Sequence, residues 1–81
     1  MDEGMVEVVC GDGVRRWVGQ ETVSRMRGLV RAGHGVAQAW LVRGFAACNV
    51  GGEAYAWEVL ERALAEGVLV QEDGLVRRGS E

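Results

Sequence analysis

The chemistry open to this chain is bounded by a short inventory of reactive side chains. His34 is the single histidine, and its neighbours are Gly33 and Gly35. A general base or metal ligand needs a partner to orient the ring and set its tautomer. Neither glycine supplies one, so His34 reads as a loop residue. Cys10 and Cys48 lie far apart in the chain, match no zinc spacing with His34, and lack a fourth ligand. Ser24 and Ser80 have no base close by in sequence, and no Gly-x-Ser-x-Gly turn is present. Gly11-Asp12-Gly13 and Gly51-Gly52 lack the Lys-Ser/Thr that would make either a phosphate loop. The expectation is a non-enzyme with no metal and no cofactor.

Charge is the remaining resource. Residues 1–13 carry Asp2, Glu3, Glu7 and Asp12, net −4. Residues 14–47 carry Arg15, Arg16, Arg25, Arg27, Arg31 and Arg43 against Glu21, net +5. Residues 48–81 carry seven acids against Arg62, Arg77 and Arg78, again net −4. The basic middle could hold phosphates or an acidic partner. Surfaces normally mix both signs, so pairing of these arginines with the acidic flanks is the expected arrangement. Trp17 adjoins Arg15 and Arg16, an aromatic–arginine combination suited to a phosphate or acidic contact.

The elements that must position these groups follow from composition and periodicity. With 81 residues, 48% hydrophobic and 26% charged, the chain has the make-up of one folded domain with a modest core. The overall charge of −3 argues against a nonspecific polyanion binder. No apolar run reaches the roughly 20 residues of a membrane span. The acidic start, Met1-Asp2-Glu3-Gly4, does not read as a secretory signal. Two isolated cysteines then fit a reduced, cytoplasmic protein.

Residues 5–18 read as a hairpin, with Val6, Val8 and Cys10 on one face and a turn at Gly11-Asp12-Gly13. In its second strand Trp17 lies on one face and Val14 and Val18 on the other. Residues 20–66 read as three helices. Gln20–Ala32 places Val23, Met26 and Val30 on one stripe, with Arg27 and Arg31 together on a solvent flank and Gly33 as a left-handed cap. Val36–Cys48 is apolar nearly all round, which marks a central or interface helix. Glu53–Glu66 buries Ala56, Trp57, Leu60, Ala63 and Leu64, and Gly67 stops it. Trp40 and Trp57 are expected in the core. Residues 68–78 form a second hairpin about Glu72-Asp73-Gly74, and Gly79-Ser80-Glu81 is a frayed tail. The fold class is α+β.

Leu60-Glu61-Arg62-Ala63-Leu64-Ala65-Glu66-Gly67-Val68-Leu69, followed by Asp73-Gly74-Leu75-Val76-Arg77-Arg78, resembles the third helix and wing of winged helix-turn-helix domains. With the two preceding helices the resemblance spans residues 20–78. The N-terminal hairpin also looks like that of the peptide-binding recognition modules of peptide-modification pathways, a winged-helix variant. The resemblance implies a third helix that enters the DNA major groove and a wing that reaches the backbone or the minor groove. It places Glu53, Tyr55, Glu58 and Arg62 on or near the recognition face, and Arg77 and Arg78 on the wing. The third helix departs from the pattern, since Glu53, Glu58, Glu61 and Glu66 face one Arg62 and acids oppose phosphate.

The first expectation is a DNA-binding transcriptional regulator that contacts double-stranded DNA and dimerises through the apolar second helix. The alternative is a protein- or peptide-binding adaptor, recognition module or small inhibitor. In that case Glu53, Glu58 and Glu61 meet basic groups, or the hairpin edge accepts a peptide strand. The candidate binding residues are Arg27, Arg31, Arg43, Tyr55, Glu58, Arg62, Arg77 and Arg78.

Overall fold

Alternating valines and an arginine-rich return strand build the first element. Strand β1 (Val6–Val9) pairs antiparallel with β2 (Arg15–Val18), with Val6 opposite Val18 and Val9 opposite Arg15. The computed structural model describes residues 6–9, 13–49 and 51–79. The turn at Gly11-Asp12 and Cys10 therefore lie outside the described residues. Side chains alternate across a pleated ribbon. Val8 and Val18 pack toward the helices, while Val9 and Trp17 face outward and are exposed. Arg15 bridges to Glu7 on the outer face at 3.4 Å.

Helix α1 (Gln20–Gly28) is shorter than the Gln20–Ala32 that periodicity predicts. Gly28 weakens the helix, and the chain then tightens through bonds from Leu29 N to Met26 O and from Val30 N to Arg27 O. Val30 stays buried beside Val23 and Met26, although it lies beyond the helix end. The predicted stripe therefore holds, but the shared solvent flank of Arg27 and Arg31 does not, because the helix ends between them. Gly33 takes a left-handed conformation (φ +78) inside the following loop and does not cap the helix.

Val36 and Ala37, expected to begin the second helix, form strand β3 (Val36–Ala37). Helix α2 (Gln38–Cys48) starts directly after it, and helix α3 (Gly52–Ala65) follows. Strands β4 (Leu69–Glu72) and β5 (Leu75–Arg78) close the described chain. β3 pairs antiparallel with β5, Val36 opposite Val76, so the second sheet has the order β3-β5-β4. Propensity does not reveal this pairing: Val36–Ala37 is extended because β5 offers an open edge to it. The Asp73-Gly74 turn has positive φ at both residues, 51 and 78. That is the two-residue geometry whose twist matches the flanking strands.

The core lies where the three helices meet the inner faces of both sheets. Leu41, Val42 and Phe45 of α2 face Tyr55, Ala56, Val59, Leu60 and Ala63 of α3. The Phe45 and Tyr55 rings are 6.3 Å apart and tilted by 39°. Leu69 and Val76 seal the floor from the sheet. Gly79 is not part of a frayed tail: it is buried, and its N–H donates to Val68 O at 2.9 Å. A Cβ there would sit 2.1 Å from Gly67 O, so only glycine lets these backbones approach.

Candidate functional site

The sequence expects two of the tryptophans in the core, and the structure seats neither there. Trp40 is 56% exposed and Trp57 38%, and Trp17 on the hairpin is 53% exposed. The buried stripe of α3 is turned by about one residue from the predicted one. Tyr55 and Val59 take the inward places given to Trp57 and Leu64, and Leu64 is only half-buried. Phe45 and Tyr55 are the aromatic rings that occupy the α2–α3 seam.

Tyr55 is the clearest correction. The resemblance puts it on an exposed recognition face, yet it is buried, and its hydroxyl donates to the Trp17 carbonyl at 2.7 Å. It fastens the hairpin to α3. Tyr55→Phe should therefore lower the unfolding free energy by about 1 kcal/mol, the usual worth of one such bond. Urea denaturation followed by circular dichroism would read this, and an unchanged midpoint would mean the hairpin is held by packing alone.

The arginines divide in the same way. Arg78, expected on an exposed wing, is half-buried, and its Nε donates to Val30 O at 2.5 Å. It ties β5 to the carbonyl left open where α1 stops. Arg77 sits one residue earlier on the opposite face of β5 and is exposed, lying back over Gly35. The two wing arginines therefore cannot act together on one ligand. Arg62 is half-buried and its Nε bonds the Glu66 carboxylate, four residues on. Arg25 is held by Glu21 at 2.6 Å. Arg31 and Arg43 are exposed, Arg27 is half-buried, and the three sit on different elements.

The exposed face of α3 carries Glu53, Ala54, Trp57, Glu58 and Glu61. Residues four apart are neighbours on a helix, so Glu53 and Glu61 flank the Trp57 indole. Between this face and the inner side of the hairpin runs a cleft of ≈ 220 Å³, lined by Val8, Val18, Glu58, Glu61 and Arg62. Its floor is apolar, and Glu58, Glu61 and Arg62 stand at its rim. Of the residues expected to bind a partner, Glu58 and Arg62 are brought together here, with Glu61, which the protein-binding alternative also names. The sequence reading missed Val8 and Val18 as the floor and Trp57 as an exposed neighbour. A second cleft of ≈ 320 Å³ lies between the hairpin, α1 and the α2–α3 corner, lined by Arg16, Thr22, Arg25, Cys48, Asn49 and Tyr55.

No polar or charged side chain is buried among the described residues. Nor do three or more His, Cys, Asp or Glu side chains gather there to hold a metal ion. No described helix is long and apolar enough to cross a membrane. The hairpin, three helices and C-terminal strand pair make an α+β protein with a cleft between the hairpin and α3 that brings Glu58, Glu61 and Arg62 beside Val8 and Val18. Comparison with protein-family models, with curated proteins and with solved structures finds no match.

Proposed function

We propose that the chain is a small winged-helix-type binding module without catalytic activity, and that α3 and the neighbouring hairpin engage a protein segment. The helix–strand–helix–helix–hairpin order from α1 onward supports the winged-helix part. So does the sheet order β3-β5-β4, with β4 and β5 as the wing. One observation carries the choice of ligand: the exposed face of the helix that would enter a DNA groove holds Glu53, Glu58 and Glu61. Duplex affinity comes largely from neutralised phosphates. Arg62 and Arg78, which would supply such contacts, are bonded to Glu66 and to Val30 O.

Duplex DNA is the second reading, favoured by Arg77 on the outer face of the wing and by the exposed Arg31 and Arg43. Self-association belongs to either reading, since α2 leaves Trp40 exposed. Anisotropy of a labelled random duplex, titrated at low and near-physiological salt, separates the two ligands. The protein-facing reading predicts no binding in either condition. Binding that weakens steeply with salt would overturn it and return the module to DNA.

A further inference from the structure

We propose that the cleft between the hairpin and α3 is a pocket for one arginine side chain of a partner protein; this rests on the reading of α3 as protein-facing. Its ≈ 220 Å³ is several times the roughly 30 Å³ share of a water molecule, enough for one long side chain. Val8 and Val18 line it with apolar surface, which suits the alkyl stem of a basic residue and offers nothing to a hydrated anion. Glu58 and Glu61, one helical turn apart, stand at its edge, where a cationic head would arrive. Arg62, the remaining lining residue, is bonded by Glu66, which leaves the two acids a net negative edge. Among the described residues no ion pair engages Glu58 or Glu61.

The choice of arginine over lysine follows from geometry. A planar guanidinium presents donors in a fork and can bond two carboxylates at once, and it sheds water more readily than an ammonium. Trp57, four residues before Glu61, adds an exposed indole beside that glutamate, outside the lining of the cleft. An indole face attracts a guanidinium more strongly than the other aromatic rings do. The occupant is therefore an arginine-bearing protein segment, with its stem on the valines and its head among the glutamates.

The test is NMR titration of the whole chain with N-acetylarginine methylamide, following the Val8 and Val18 methyls and the Trp57 indole N–H. Two control probes divide the ligand: N-acetylnorleucine methylamide has the stem without the head, and guanidinium chloride has the head without the stem. The lysine analogue distinguishes a fork from a point charge. The arginine probe should shift these signals saturably, each control far less, and the lysine analogue more weakly. Glu58→Gln with Glu61→Gln should weaken the arginine probe about tenfold, the scale of one lost charge-assisted bond. Val8→Phe fills the cleft but spares both carboxylates, and it should weaken binding as much.

Equal shifts from guanidinium chloride, full affinity in Val8→Phe, or no shift with arginine would each overturn the pocket. None of these outcomes touches the protein-facing reading, which falls only if the duplex binds.

Discussion

Phe45→Ala should lower the unfolding free energy by about 3–5 kcal/mol, the range for removing a buried aromatic side chain. Phe45 is 1% exposed, lies in the seam between α2 and α3, and faces the Tyr55 ring at 6.3 Å. The cost has two parts: the apolar surface no longer buried, and a cavity that two packed helices cannot collapse. A domain of this size holds only about 4–12 kcal/mol of stability, so the variant should lose a large share of it and its urea midpoint should fall well below that of the unaltered chain. Circular dichroism during a urea titration is the suitable readout. Tryptophan emission is a poor one, because Trp17, Trp40 and Trp57 are already exposed in the folded protein. Trp40→Ala is the matched comparison, with an expected change within about 0.5 kcal/mol for a surface site. A Trp40→Ala cost equal to that of Phe45→Ala would place the indole in the core and overturn the packing described for α2.

The second large effect concerns charge. Exchanging Glu58 and Glu61 together for arginine moves the net charge from −3 to +1, since each exchange adds two positive charges. Both side chains are exposed on α3, so the fold should tolerate the change. If α3 has the shape of a groove-entering helix and only its charge forbids DNA, the double variant should acquire duplex binding. That binding should fall with salt, log K against log salt having a slope of about −0.9 per phosphate contacted. The measurement is the same duplex anisotropy, run beside the unaltered chain. Binding confined to the variant would support a winged-helix module turned from DNA to protein by its surface acids. No binding even after the reversal would mean that the shape of α3 and the wing does not fit a groove, and the winged-helix docking geometry would be abandoned.

Much of this molecule can be read along the chain, because local patterns carry it. The Asp73-Gly74 turn, the glycine stop after α3, the Val23–Met26–Val30 stripe and the break before Gly52 are set by residue types within a few positions of one another. The acid–base–acid charge order is likewise a property of sequence alone. The direction in which each helix faces is a different matter. Ala54-Tyr55-Ala56-Trp57 is a run of four apolar residues, and periodicity alone does not say which of them turn inward. Val59 was the available signal, since Tyr55, Val59 and Ala63 share one stripe and Trp57 lies off it. In α2 the same ambiguity put Trp40 in the core, where Leu41, Val42 and Phe45 in fact fill the space.

Local sequence sets the two strand pairs, the three helices, their order and the distribution of charge, because turns, caps and periodicity act over a few residues. Contacts between distant segments, in contrast, make Val36–Ala37 leave the helix to pair with β5, turn Arg78 in to Val30, and bond Tyr55 to Trp17 while Trp57 stays outside. Each of those joins groups far apart in the chain: an open sheet edge, an unpaired carbonyl and a limited core volume are satisfied only once distant segments meet. The cleft exists for the same reason. Its valines come from the hairpin and its glutamates from α3, and no spacing within either segment announces the other.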